Sequence, residues 1–557
     1  MEEPSVLDYL KSKFNPWSQE KIEIPESAAE LETVSPVLPR EVSHPFAGLN
    51  IGRLPWRSLL SLGFAFSGQF MLEPPAPQPI LAVSLYFVAL VFFVWAIWKS
   101  EWVIPGLRED FPAVDNGEFR RLPLFASFFV GAAAFAFMGN NRFTGLNVSL
   151  WLLAIGLFVY GLWVTNLSWG EAWRRTREFF NRESWSLKIT PWLILLVFVW
   201  GAAIFYRFYE INTVPAEPFS DHAEKLLDVY DVSQGKYSIF FERNTGREFF
   251  QMYLTLAVGS LFGTGISFLS LKLGTALAGF FTLPYVYLLG KELFNKRVAL
   301  FALTLTAFAY WPNVISRVGL RFPLYPLFAA PVLFYLIRGL RTQNRNDFIL
   351  SGLFLGLGLH GYSSFRFVPV VVVIAILLYL LHVRNSEVRK QTLVLSSILV
   401  LASVFVFIPL LRYSFENPDM VVYRSMTRLA DAERPLSGNP LMIFLDNLKN
   451  AMLMLNVDNG NIWVHSVLKR PALDVVSAVF FVFGYLVLIG RYSRRRDWRD
   501  LFLVLSVPLL MMPSILSLAF PLENPSLNRT GGAYITVFII VAFALDALYQ
   551  GLQQLGW

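Results

Sequence analysis

From about residue 56 onward the chain is dominated by continuous apolar runs of about twenty residues, the length a helix needs to cross a bilayer. Such a run buried in hydrocarbon must satisfy its own backbone hydrogen bonds, so it is a helix or a strand of a closed barrel. Barrel strands are about ten residues long and alternate in polarity. These runs are longer and unbroken. They fall at residues 56–72 (the weakest), 79–98, 122–138, 146–165, 190–206, 271–289, 298–314, 322–337, 348–361, 365–381, 392–411, 472–490, 501–520 and 532–549. The expected fold is therefore an all-α polytopic transmembrane bundle of about fourteen spans, with outer loops that carry short interfacial helices.

The charges agree with that reading. Only 16% of the 557 residues are charged, against about 25% in a soluble domain. The net charge of +7 would suggest nucleic acid in a soluble protein. Here most basic residues lie in short loops between runs, where the positive-inside rule accounts for them. Lys99, Arg108, Arg120 and Arg121 fill one loop, and Arg174, Arg175, Arg177, Arg182 and Lys188 the next, whereas the alternate turns hold only Arg142. The later loops repeat the pattern with Lys291, Lys296, Arg297, then Arg338, Arg341, Arg345, then Arg384, Arg389, Lys390, and finally Arg491 to Arg499. Both termini are thus expected in the cytoplasm of a plasma or inner membrane. Residues 1–55 are polar and proline-bearing and read as a mostly disordered cytoplasmic tail; they show no apolar core of a cleavable signal peptide. The absence of cysteine excludes disulfides and thiol catalysis.

Two long outer loops follow from this topology, residues 207–270 and 412–471. In the first, residues 221–232 have helical spacing, with Asp221, Glu224 and Asp228 on one side, and Gly235 ends the helix. Residues 249–262 are apolar but marginal for a span, and fit an interfacial helix. The outer loops together offer acids and cations at one membrane surface: Glu210, Asp221, His222, Glu224, Arg243, Arg247 and Glu248; Arg317 and Arg321; His360, Tyr362 and Arg366; Arg424, Arg428 and His465; Glu523 and Arg529. Arginine forks match phosphate geometry, and a carboxylate can take a proton from an acceptor hydroxyl. The collection suits a site for a lipid-linked phosphate.

Simpler roles fit the same residues. Asp221 with Glu224 at the third helical position has the form of a capping box, and spacing does not separate that role from catalysis. Arg317, Arg321 and Arg529 fit interfacial anchors that snorkel to headgroups. His360 ends an apolar helix, where a structural histidine is the commoner case. Asp221, His222 and Glu224 are ligand types that a divalent cation accepts, but further ligands would have to come from distant loops. No nucleotide-binding loop, zinc motif or serine-nucleophile motif stands out.

From about residue 190 to its end the chain resembles the GT-C superfamily of polytopic glycosyltransferases, in particular the branch with protein O-mannosyltransferases and lipid A aminoarabinose transferases. The resemblance lies in an outer-loop acid pair, Asp221-His222 with Glu224 nearby, then an interfacial helix ending Leu261-Phe262-Gly263. A span follows that ends Tyr287-Leu288-Leu289-Gly290-Lys291-Glu292-Leu293-Phe294, with a short basic turn and an arginine-bearing outer loop after it. It implies a GT-C-like core at residues 190–557, preceded by an additional block of about four spans at residues 56–189. It implies transfer, with inversion, of a sugar from a polyprenyl-phosphate donor to an acceptor on the extracytoplasmic face. The implied catalytic acids are Asp221 and Glu224; the implied phosphate ligands are Arg317, Arg321, Arg366 and Arg529. His222, Arg247, Glu248, His360, Tyr362 and Glu523 are the further site candidates. Many relatives have a second acid where this chain has His222, and several carry one in the second outer loop, where this chain reads Arg321-Phe322-Pro323. Glu224, Glu248 or Glu523 would then supply it. Two other classes fit the sequence less well: a transporter of lipid-linked saccharides, which would place charges at mid-membrane depth, and a non-catalytic subunit built on the same fold.

Overall fold

The computed structural model describes residues 54–110, 112, 118–165, 169–181, 189–429 and 434–556. The chain divides into two units, Met1–Ile51 and Gly52–Trp557, and the described residues all lie in the second. The expected tail, apart from Leu54 and Pro55, and the loop cations Arg182 and Lys188 lie outside the described residues.

The described chain is helical almost throughout. Its first helices are α1 (Trp56–Phe70), α2 (Pro79–Trp98), α3 (Arg121–Phe137), α4 (Gly145–Leu162), α5 (Trp169–Phe180), α6 (Pro191–Phe208) and α7 (Ser220–Ser233). A two-stranded hairpin follows, β1 (Phe240–Phe241) and β2 (Arg247–Glu248). Then come α8 (Phe250–Leu261), α9 (Phe268–Leu293), α10 (Lys296–Phe308), α11 (Tyr310–Arg317), α12 (Leu324–Thr342), α13 (Arg345–Gly358), α14 (Val368–His382) and α15 (Ser386–Glu416). The last are α16 (Pro418–Leu429), α17 (Pro440–Leu453), α18 (Val475–Arg495), α19 (Trp498–Ile515) and α20 (Tyr534–Gln554).

This is an integral membrane protein of the all-α class. Each of the fourteen expected runs contains a helix, but the count of spans is lower. Among the described residues ten helices are long and apolar enough to cross a membrane, and the bent pair α10–α11 makes an eleventh. The correction has a physical basis in length. The helices α1, α3 and α13 have 15, 17 and 14 residues, at or below the short limit for a span. The run at 249–262 forms α8, twelve residues long, again too short to cross.

Polar caps fix where the helices start. The side chains of Asn295, Asn385, Asp474 and Asp497 accept the first free backbone N–H groups of α10, α15, α18 and α19. Thr144 and Asn147 close a reciprocal capping box at the start of α4. The break between α10 and α11, a bend of 50°, is set by Pro312. Its ring has no N–H and would clash with the carbonyl four residues back, at Phe308. Side chains pair with three carbonyls around the break: Asn313 donates to those of Ala307 and Ala309, both at 2.8 Å, and the buried Arg207 guanidinium donates to those of Ala307 and Thr306.

The segment around α20 is the most buried of the ten, with 89% of its apolar window inside the protein, whereas that of α6 is 17% buried. The core therefore runs along α20 and its neighbours α10, α18 and α19, and α6 is left facing outward. The pair α3–α4 packs on α15, and α1–α2 packs on α18.

Candidate active site

The helix α7 presents the first acids. It begins at Ser220, so Asp221 lies one residue inside it, after the N-cap Phe219. The capping role falls to His222. Its Nδ1 accepts the backbone N–H of Phe219 at 3.1 Å, and its Nε2 lies 2.6 Å from the carbonyl of Val318. That pairing needs a neutral ring with the proton on Nε2. Burial pushes the His222 pKa down, more than the Val318 carbonyl raises it, in keeping with a neutral ring. Asp221 is thereby released from capping. Its Oδ1 accepts from Asn244 Nδ2 at 2.8 Å, lies 3.9 Å from Arg247, and the side chain stays 40% exposed.

The hairpin supplies the centre of the site. Phe240 pairs with Glu248, and Phe241 with Arg247, in antiparallel register. Its connecting turn places Asn244, Thr245 and Gly246 at positive φ. At Gly246, φ +87°, a Cβ would meet the Phe240 ring at 2.4 Å, so this position excludes a side chain. Successive strand residues point to opposite faces, and here they meet opposite charges. Arg247 is buried among acids. It pairs with Glu224, lies 3.2 Å from Asp228, and faces Asp221. Glu248 is buried among cations. Its two oxygens accept from Arg321 at 2.7 Å and from Arg366 at 2.8 Å. The guanidinium of Arg321 also lies over the Tyr362 ring, 5.4 Å from its centroid.

Two cavities lie here. A small one is lined by Asp221, Lys225, Asn244, Arg247, Arg321 and Tyr362, with Leu320 and Phe322. A larger one, about 270 Å³, is lined by Tyr362, Ser363, Ser364, Arg366, Arg428 and Arg529 with apolar neighbours. Tyr362 belongs to both walls. At the larger cavity Glu523 bridges two cations: it accepts from Arg428 at 3.0 Å and from Arg529. Burial opposes the Glu523 charge, but Arg529 and Arg428 outweigh it and hold the carboxyl below its usual range.

The structure thus brings together Asp221, Glu224, Arg247, Glu248, Arg321, Tyr362, Arg366, Glu523 and Arg529 of the residues singled out from sequence. It places three elsewhere. Arg317 donates to the carbonyls of Tyr206 and Tyr209, both at 2.8 Å, and closes the end of α6. His360 is fully buried, with Nε2 at 3.0 Å from the Val406 carbonyl and its ring against Phe249 and Phe407. His222 spends both ring nitrogens on backbone, and Glu224 is held by Arg247, so the trio does not form a cation site. Among the described residues no group of three or more His, Cys, Asp or Glu side chains is placed to hold a metal. Arg428 was one of many outer-loop cations in the sequence. Asn244 gave no signal there, since its role depends on the turn that carries it. A separate cavity of about 530 Å³, lined by Phe143, Trp151, Tyr237, Phe249 and Tyr253 among others, contains no titratable acid or base beyond its tyrosines.

Helical membrane spans carrying a buried acid–arginine cluster at one end define a class of polytopic membrane protein. Residues 249–412 match the family described as dolichyl-phosphate-mannose-protein mannosyltransferase. That match sets this segment, from α8 through most of α15, within the GT-C superfamily, as the resemblance in the sequence implies. It takes in Arg321, Tyr362 and Arg366, and leaves Asp221, Glu248 and Arg529 outside. No curated protein sequence matches the chain. Among solved structures, the oligosaccharyltransferase of Archaeoglobus fulgidus tethered with an acceptor peptide aligns with a TM-score of 0.42 and 16% identity, over 65% of this chain and 50% of the other. The same organism's AglB, in complex with an inhibitory peptide and a dolichol-phosphate, aligns with 0.40 and 15%, over 65% and 51%. ArnT from Cupriavidus metallidurans, bound to undecaprenyl phosphate, aligns with 0.43 and 14%, over 66% and 63%. The chain spans about half the length of the oligosaccharyltransferase chains it matches.

Proposed function

We propose that the protein is a membrane glycosyltransferase that moves a sugar, with inversion, from a polyprenyl-phosphate donor to an acceptor on the extracytoplasmic face, with both termini cytoplasmic. The observation that carries this is that two cavities share Tyr362 as a wall, one bearing Asp221 and the other Arg366, Arg428 and Arg529. The family match at residues 249–412 supports the donor class. Asp221, partly exposed and free of capping, takes the acceptor hydroxyl proton. The acceptor oxygen bonds to the anomeric carbon as its bond to the phosphate oxygen breaks. The electron pair leaves on the phosphate, so the departing group needs cations rather than a proton, and the arginine-lined cavity supplies them. Glu224 is tied to Arg247 and holds that guanidinium beside Asp221. Glu248 holds Arg321 and Arg366 in place.

The test is transfer of labelled sugar from polyprenyl-phosphate donors by the purified full chain in lipid vesicles. Asp221→Asn should lower the rate by about a hundredfold or more, the usual contribution of a positioned base, with an unchanged melting temperature. Full activity in that variant removes Asp221 from the mechanism. Transfer from a nucleotide sugar, and none from any polyprenyl phosphate, removes the donor class.

A further inference from the structure

Two of the arginines that line the larger cavity share one carboxylate, Glu523. Glu523 sits on a short 3₁₀ turn, Pro521–Glu523, and touches two of the three guanidiniums that line the cavity. Those cations are held from other sides as well. Arg529 donates to Ser517 Oγ at 2.6 Å, and the Arg428 guanidinium lies 4.0 Å from the Phe520 ring centroid. A guanidinium has five N–H donors, so one carboxylate shared by two arginines does not saturate them. The pair with its carboxylate carries one net positive charge. The third lining guanidinium, Arg366, already shares Glu248 with Arg321.

This inference rests on the proposed function. A sugar–phospho–polyprenyl donor is a phosphodiester with one negative charge. When its sugar–oxygen bond breaks, the bonding pair stays on oxygen and the leaving group becomes a phosphomonoester, with a charge near −2 at neutral pH because its second pKa is about 6. Arginines alone would therefore hold the spent carrier more tightly than the donor. A fixed carboxylate beside them repels the extra charge and leaves the singly charged donor less affected.

We propose that Glu523 sets the charge selectivity of this cavity, weakening the phosphomonoester product relative to the phosphodiester donor and so speeding release of the spent carrier. Held below the usual carboxylate range by its two arginines, it keeps its charge throughout the neutral pH range.

The probes are undecaprenyl phosphate and its methyl ester, a monoester and a diester on one chain, titrated against the purified full-length protein in lipid nanodiscs at neutral pH. Glu523→Gln should tighten the monoester about tenfold more than the methyl ester, roughly the effect of one charge ~10 Å away at an effective dielectric constant near 20. Arg428→Gln moves the balance the other way, weakening the monoester more than the methyl ester, and serves if Glu523→Gln does not fold. Equal shifts for both lipids overturn the inference while leaving the proposed function standing. If neither lipid binds the wild-type protein, both fall.

Discussion

At the scale of single residues, the helix start at Phe219 separates two neighbours that the sequence could not tell apart. His222 caps and Asp221 does not, because the histidine ring reaches the Phe219 N–H and the Val318 carbonyl together. A neutral ring is required for both bonds. The folded pKa of His222 is lowered below the ordinary 6.5, so the unfolded chain binds the proton more readily. Its contribution to stability is present above pH 6.5 or so and is lost as pH falls from that value towards the lowered folded one. Thermal unfolding of the detergent-solubilised protein should show a falling midpoint between pH 7 and 5. His222→Phe keeps a planar ring, larger than imidazole, and leaves a buried acceptor and a cap donor unpaired, at about 1–3 kcal/mol, and it should flatten that pH dependence. An unchanged slope in the variant would assign the effect to another group. Arg317 and Arg321 teach the same lesson from the opposite side. They are identical in type and one helical turn apart in sequence, yet Gly319, at φ +76°, turns the chain between them. One then meets the carbonyls at the end of α6 and the other meets Glu248. Spacing cannot separate them, because the difference arises from backbone contacts made across the fold.

At the scale of elements, the helices were legible and the hairpin was not. Continuous apolar length identifies a helix in hydrocarbon without help from its neighbours, and each expected run contains one. What length did not reveal is how many cross the membrane, since Pro312 breaks one helix in two and three others are short. A hairpin with two residues per strand has no periodicity to detect. Asp221, Arg366 and Arg529 could be singled out from sequence as acids and cations of outer loops. That Arg247 gathers the acids and Glu248 the cations follows only from the strand's alternation, and the strand exists only because Asn244, Thr245 and Gly246 adopt left-handed conformations. Gly246→Ala should therefore act on the site through the hairpin. Its Cβ meets the Phe240 ring, which stacks on Tyr413 at 4.7 Å and has little room to yield. The expected cost is about 1–3 kcal/mol of stability, with a fall in sugar transfer beyond what the lost folded fraction explains. A variant with wild-type melting and wild-type transfer would show that the turn does not position the site.

At the scale of the whole molecule, the chain between α2 and α3 ties the first four helices to the core. Arg491 donates to the Pro105 carbonyl at 2.6 Å, Arg499 to that of Arg108 at 2.5 Å, Arg341 to that of Glu109 at 2.7 Å and Arg345 to that of Glu118 at 2.6 Å. Val103 donates to the Ala547 carbonyl at the far end of α20, and Gly551 lies so close that a Cβ there would meet the Glu101 carbonyl at 1.9 Å. Three of these arginines also hold carboxylates: Glu292 for Arg341, Asp500 for Arg491, and Asp110 and Asp497 for Arg499. Loop arginines that follow the positive-inside pattern in the sequence are thus also the partners of this strap. Buried guanidiniums stripped of their acceptors are costly, and α1–α2 and α3–α4 cover different core helices, α18 and α15. A chain beginning at residue 190 would therefore expose both faces and take away the four backbone carbonyls that these arginines hold. It should aggregate on extraction, whereas the full chain runs as one species by size-exclusion chromatography. Co-expressing residues 1–189 as a separate chain should restore a soluble complex through the same contacts. If the shortened chain is monodisperse and melts like the whole, the strap contributes nothing to the fold, and the first helices are an appendage rather than part of the bundle.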